Sequence, residues 1–437
     1  MLPSSTVPAG LLRVLAGCRQ VFTAPSFVTF SLLVSGALSA VGPRTVTGMW
    51  TAAGMSTVAH WSRAHRFFSH AVWDADALGL ALARMVVAAF AGDGQALTVA
   101  VDDTLFHRYG RTVFGAAWQH DGSARGRDGI GRGNCFVIAG LVVATPFTDR
   151  KVFLPLLFRL HQPKTSASKP AQARELVGLL AQAFPDRAVH VVADNAYRSP
   201  TWRTLPDNVT FTTRLAHNAT LYAPAPPRTG KRGRPRLKGA TLGKPADLAA
   251  TATATHSWTT LTLSRYGHTA TVQIAVIDCL WHGSLRHLPV HVILVKDPGS
   301  SRPYDIALVT TDRAAGAATI VARYADRWSI EQAIKDGKDL LGVGDPQNRL
   351  PAAVQRTVPF GLLTLTILTL WYHQSGHPDH DIHTRRLHAP WYRHKQHIAV
   401  QDMLIAYRWT RITAITAGQT TPQLNDHNAL TSRSTAA

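Results

Sequence analysis

Leu97-Thr98-Val99-Ala100-Val101-Asp102-Asp103-Thr104 is the stretch on which the fold of this chain turns. Five apolar or β-branched residues in succession read as a strand buried on both faces. Two adjacent carboxylates at its end are what such a strand carries only for a purpose. A second run of this kind, residues 188–193, ends in Asp194-Asn195-Ala196-Tyr197. Between the two lie residues 134–147 and 151–161, which read as further strands joined by the turn Pro146-Phe147-Thr148-Asp149. Residues 170–184 then read as a helix, with Pro170 early and apolar residues at Leu176, Leu179, Leu180 and Phe184. The order strand, strand, strand, helix, strand predicts an α/β sheet. Carboxylates at the ends of adjacent strands in such a sheet open into one crevice. Successive strand residues face opposite ways, so only one of Asp102 and Asp103 points into it, and periodicity does not say which.

A third block supplies another carboxylate. In Tyr324-Ala-Asp-Arg327-Trp328-Ser-Ile-Glu331-Gln-Ala-Ile-Lys-Asp-Gly-Lys338, the Tyr, Arg, Glu and Lys stand at offsets of three, seven and fourteen. At about 100° per residue all four fall inside a stripe roughly 60° wide on one helix. A tyrosine, two cations and a carboxylate on one narrow face suit a polyanion held while a metal acts on it. The plainer alternative is a solvated face with Arg327 and Glu331 as an i,i+4 ion pair. Ser329-x-x-Gln332 is also a capping-box pattern, and a helix starting there would leave Tyr324 and Arg327 to tertiary placement. Trp328 beside the stripe suits either stacking on a flipped base or core packing.

Together these blocks resemble the bacterial insertion-sequence DDE transposases with the Y-x2-R-x3-E-x6-K signature, the IS-four / IS-seven-oh-one-like group. The resemblance implies an RNase H-like catalytic core interrupted by a β-rich insertion, with helical N-terminal and C-terminal regions. It implies Glu331 as the third catalytic carboxylate, and its Asp-Thr dipeptide favours Asp103 over Asp102. The implied catalytic and metal-binding triad is therefore Asp103, Asp194 and Glu331, holding two Mg²⁺ (or Mn²⁺) ions, a set that suits all-carboxylate ligands. Tyr324, Arg327 and Lys338 are implied to hold the DNA end, and Trp328, in its base-stacking reading, is counted as a DNA-binding residue beside them. A hairpin intermediate and a homodimer pairing two ends in a synaptic complex follow from the resemblance alone. The haloacid dehalogenase loop is excluded, because its two aspartates are separated by one residue and here they are adjacent.

Composition agrees with a nucleic-acid partner. The 437 residues carry a net charge of +20 and a pI near 10.6, a field that attracts double-stranded DNA. No apolar run is read as reaching the roughly eighteen residues of a spanning helix, so no membrane is expected. Three scattered cysteines without a C-x-x-C pair point to a reducing compartment, and the expectation is a cytoplasmic, nucleoid-associated bacterial protein.

Five segments are expected. Residues 1–94 read as a helical DNA-binding region, with His60, Arg63, His65 and Arg66 beside Trp61 and Phe67. Residues 95–213 form the first part of the core, within which the Gly- and Arg-rich 111–132 read as a loop. Residues 214–303 form the β-rich insertion with a basic loop, 304–345 the second core part carrying Glu331, and 346–437 a helical C-terminal region with a basic, partly disordered tail. The basic loop contains Lys231, Arg232, Arg234 and Arg236, and Arg232-Gly-Arg-Pro matches the core of a minor-groove AT-hook. Seven histidines between 373 and 397, with no cysteine among them, read as a basic linker rather than a metal site. The expected function is cut-and-paste transposition: metal-dependent cleavage of element ends and strand transfer into target DNA. The alternatives are a domesticated DNA-binding protein or an RNase H-like nuclease.

Overall fold

The computed structural model describes residues 7–122, 129–227, 236–265 and 267–417. Its twelve described strands form one mixed sheet. They are β1 Leu97–His107, β2 Ala117–His120, β3 Ile130–Val143, β4 Val152–His161, β5 Val189–Ala193 and β6 Val209–Arg214. The remainder are β7 Leu221–Tyr222, β8 Thr241–Gly243, β9 Thr259–Arg265, β10 His268–Leu280, β11 Pro289–Lys296 and β12 Ile306–Thr310. The runs at 97–101 and 188–193 are adjacent parallel strands, β1 and β5, and β6 continues in parallel beside β5. On the other side β1, β3 and β4 form an antiparallel meander. β12 returns antiparallel to β6, and through it β11, β10 and β9 extend the same sheet. The stretch read as a loop at 111–132 contains β2, an edge strand paired with the start of β3.

β4 bonds only to β3, and its register shifts between Ala139 and Gly140, so that Gly140 faces Pro155 across a bulge. Proline, which has no N–H to donate, is tolerated at such an edge. The freed Pro155 carbonyl accepts from Thr366 Oγ1 at 2.7 Å, which ties the sheet to its covering helix.

Helices cover the sheet. The first five are α1 Ala9–Ala16, α2 Ala24–Ser39, α3 Val46–Ala52, α4 Ser62–Ser69 and α5 Ala75–Phe90. α6 is Lys169–Ala183, α7 Pro245–Ala254, α8 His282–Leu285, α9 Ala317–Asp326 and α10 Ser329–Asp339. The C-terminal set is α11 Pro351–Ser375, α12 Pro378–His388 and α13 Val400–Thr416. α11 corrects the sequence reading: its 25 residues are long and apolar enough to cross a membrane by length and composition. Its most apolar window is 83% buried inside the protein, where it packs on β4, α1, α4, α5 and α13. Buried Thr357, Thr364 and Thr369 break the apolar run in sequence, and each donates back to the carbonyl four residues earlier, which removes the polar cost. One hydrophobic cluster runs from the N-terminal helices through β1, β3, β4 and β5 to α11 and Tyr407, and a smaller one lies between α9 and β9–β12.

α5 meets β4 closely enough that a methyl group at Gly79 would overlap the Leu156 carbonyl oxygen. Gly79→Ala is therefore expected to lower stability by about 2 kcal/mol. Denaturant unfolding checks this, and an unchanged midpoint would mean that the helix stands off the strand.

Candidate active site

The site lies where β5 stops. β1 and β5 stay in register to Val101 and Ala193, and one residue later come Asp102 and Asp194. Beyond that level β1 runs on beside β3 alone, so a gap opens next to the carboxylates. Asp194 caps a 3-10 turn, Asn195–Tyr197, in which Tyr197 N donates to the Asp194 carbonyl at 2.9 Å. Thr213 Oγ1 from β6 donates to the same carbonyl at 3.0 Å.

The helical block approaches from the other side of the chain. Neither of the two alternatives for its backbone is quite what forms. α9 ends at Asp326 and α10 begins at Ser329, but Arg327 and Trp328 keep helical dihedrals. The bonds through the joint run to the third preceding residue: Arg327 N to Tyr324 O, Trp328 N to Ala325 O, Ile330 N to Arg327 O and Glu331 N to Trp328 O. The joint is thus a tightened 3-10 step, a geometry that often marks a functional hinge. No capping box forms, because Ser329 Oγ donates to Asp326 O and Gln332 Nε2 donates to Asp336 Oδ1.

Arg327 binds the two segments together. Its guanidinium reaches Asp102 Oδ2 at 3.4 Å and Glu331 Oε1 at 3.1 Å. Arg327 is 11% exposed, against 23% for Asp102 and 38% for Glu331, so the pairs are shielded but open on the Glu331 side. Burial works against the guanidinium charge, and Tyr324, Asp102, Glu331 and Asp194 outweigh it and raise the Arg327 pKa. Burial lifts the Asp102 carboxyl to about 6, against the opposing pull of the Asp103 N–H and Arg327. Arg327 Nε is buried with no hydrogen-bond partner.

The two adjacent aspartates face opposite ways. Asp102 and Thr104 lie on the α10 side, where Lys338 Nζ donates to Thr104 Oγ1 at 2.8 Å and to the Leu105 carbonyl at 3.0 Å. Burial lowers the Lys338 pKa. Asp103 turns to the α6 side, where Lys169 Nζ lies 2.6 Å from its Oδ2, Tyr197 Oη donates to its Oδ1 at 3.0 Å, and Cys135 Sγ stands 3.3 Å away. The Asp-Thr resemblance favours Asp103 as the metal-facing residue, whereas in the structure it is Asp102 that Arg327 joins to Glu331. The reason is strand alternation, with α10 packed on the even-numbered face of β1. Lys169 was not singled out from sequence, where it precedes the helix expected over 170–184; in the structure it is the first residue of α6, which Ser168 caps.

Other expected contacts are distributed unevenly. Tyr324 is buried at 8% exposure in the smaller hydrophobic cluster, with the Arg327 guanidinium 5.7 Å from its ring centre. Trp328 is 56% exposed beside the site. Arg236 is exposed, while Lys231, Arg232 and Arg234 lie outside the described residues. In the N-terminal segment Trp61 is exposed, but Arg63 is drawn inward to Thr29 Oγ1 at 2.9 Å. Among the described residues, no group of three His, Cys, Asp or Glu side chains stands close enough to hold a metal ion, and Arg327 sits between two of the carboxylates. The donors are all carboxylate oxygens, which fit a hard divalent cation once that arginine moves aside.

A family model described as DDE superfamily endonuclease matches residues 19–270, a span that holds Asp102, Asp103 and Asp194 and ends before Glu331. No curated protein matches the chain.

Proposed function

The chain belongs to the DDE superfamily endonucleases, and from that premise we propose that it is a cut-and-paste DNA transposase acting on the ends of its own insertion sequence. One observation carries the proposal: a single arginine joins Asp102 on β1 to Glu331 on α10, beside Asp194 at the end of β5. The strand order β4-β3-β1-β5-β6, with its parallel β1–β5 and β5–β6 pairs, supports the RNase H-like reading of the core. The offsets of Tyr324, Arg327, Glu331 and Lys338 support the transposase reading over a general nuclease.

Asp102, Asp194 and Glu331 would hold the divalent cations, Mg²⁺ or Mn²⁺, with Asp103 facing away on the α6 side. Such ions activate a water for phosphodiester hydrolysis and stabilise the departing oxygen. The protein's part is to hold the carboxylates together at the end of the sheet and to keep DNA phosphates in line with them. Arg327 and Lys338 supply positive charge on that path, and the exposed Trp328 ring offers a surface on which a displaced base can stack. Hydrolysis leaves a 3′-hydroxyl on the element end. That hydroxyl then attacks a phosphodiester of target DNA, and its oxygen replaces the target's 3′-oxygen, so phosphodiester bonds are conserved in the transfer. Double-stranded DNA with terminal inverted repeats is the proposed partner, and a homodimer the proposed form that pairs two ends.

The test is cleavage of a DNA fragment carrying the gene's own flanks, with Mg²⁺, by wild type and Glu331→Gln side by side. Cuts at matched inverted termini, absent with the variant, are expected. Cuts that survive the substitution would remove Glu331 from the site, and binding without cutting by either protein would favour a domesticated DNA-binding protein.

A further inference from the structure

We infer that Lys169, Asp103 and Tyr197 form a positioning device that decides which of the two adjacent aspartates of β1 faces the metal. The inference rests on the carboxylate site proposed above and adds to it residues that touch neither metal nor DNA.

Adjacent aspartates on a strand pose a problem of phase. A local slip of one residue exchanges their faces and puts the wrong carboxylate in the crevice. On the α10 side, Arg327 attracts a carboxylate at either position equally. The choice therefore has to come from the other face, and three groups there engage Asp103. Lys169 in the first turn of α6 lies 2.6 Å from Oδ2. Tyr197, 1% exposed, donates to Oδ1 at 3.0 Å. Cys135 of β3, fully buried, stands 3.3 Å from Oδ2.

Tyr197 makes the device more than an ion pair. It lies three residues after Asp194 in the turn that Asp194 caps, and its carbonyl is fixed by Trp202 Nε1 at 2.8 Å. Its hydroxyl therefore ties the strand carrying Asp102 to the turn carrying Asp194. A displacement of either segment stretches that bond, so the two metal-facing carboxylates are held in mutual register from behind. Lys169 also offsets the charge of Asp103 next to the crevice. Without it, a carboxylate whose charge only the neutral Tyr197 and Cys135 attend adjoins Asp102 and is less firmly held from a bound ion.

This predicts a signature that loss of stability alone does not give. In the DNA-free full-length protein, Lys169→Met should bind Mn²⁺ severalfold more tightly by calorimetric titration, because a cation is lost and a carboxylate is freed. Its cleavage rate at saturating Mn²⁺ should nevertheless fall about tenfold or more, and Lys169→Arg should restore both values. Tyr197→Phe should slow cleavage at saturating Mn²⁺ while leaving Mn²⁺ affinity within about twofold, and it serves should Lys169→Met fail to fold. The idea is overturned if Lys169→Met lowers only the melting temperature, or if Tyr197→Phe cleaves at the wild-type rate. Wild-type protein that binds no Mn²⁺ would instead sink the underlying site assignment, and Asp103→Asn abolishing Mn²⁺ binding would assign the metal to Asp103 and refute the device.

Discussion

Asp102→Asn is expected to reduce metal-dependent DNA cleavage by at least about a thousandfold while leaving DNA affinity nearly unchanged. The amide keeps the shape of the side chain but not the anionic oxygens that a divalent cation requires. A second expected effect runs in the opposite direction. In the metal-free protein the Asp102 carboxyl is raised to about 6 from 3.8, mainly by burial. A carboxyl raised in the folded state holds its proton more tightly there than in the unfolded chain. The stability this contributes is fully present below pH 3.8 and is lost as pH rises through about 6. At pH 7 the buried charge therefore costs roughly 1–2 kcal/mol, after discounting for the 23% exposure of the side chain. Asn carries no such charge, so the variant should melt higher than wild type at pH 7 without metal, and the gap should close at pH 4. Equal destabilisation at both pH values would show that Asp102 acts as a structural anchor, and full cleavage activity would remove it from the site.

Much of this arrangement is legible before the fold is seen, and what is not has identifiable causes. β1, β3, β4 and β5 are readable because each is apolar on both faces, the mark of strands covered by helices on either side. The apolar spacing of 170–184 likewise gives α6. The choice between Asp102 and Asp103 is hidden because alternation yields two faces without naming the helix that covers either. The partner that Asp102 meets on its face, Arg327, stands 225 positions away along the chain. Lys169 is hidden for the same reason: its partner Asp103 lies 66 positions earlier. The capping-box pattern at Ser329 misleads because both of its side chains find other local partners. The histidine-rich stretch reads as a linker on composition, yet part of it folds as α12. Pro378 sits at that helix's start, Asp379 and Asp381 in its first turn, and Arg385, Arg386 and His388 in its last, each matching the helix dipole. Composition records how basic such a segment is, whereas the order of its charges records that it is a helix.

Arg327→Ala should strengthen divalent metal binding in the absence of DNA and weaken cleavage in its presence. The guanidinium neutralises Asp102 and Glu331 and lies within the field of Asp194, so a metal entering the proposed site would first have to displace it. Opposite charges about 4 Å apart interact by up to about 4 kcal/mol near a protein surface, before the cost of desolvation is subtracted. A net 1–2 kcal/mol released by the substitution corresponds to about tenfold tighter Mn²⁺ binding. DNA offers the same arginine a competing anion. A phosphate that draws Arg327 out of the crevice bares the carboxylates where a substrate is present, and the 3-10 joint at 327–331 with its unpartnered Nε provides a segment able to move. Without the guanidinium that phosphate loses its partner, and cleavage at saturating metal should fall by at least about a hundredfold. Arg327→Lys should rescue poorly, because an ammonium cannot span two carboxylates or grip a phosphate with a planar fork. Mn²⁺ titration without DNA separates the two effects. Unchanged or weaker binding by Arg327→Ala would mean that the arginine does not compete with the ion, and that its place between Asp102 and Glu331 serves only to join β1 to α10.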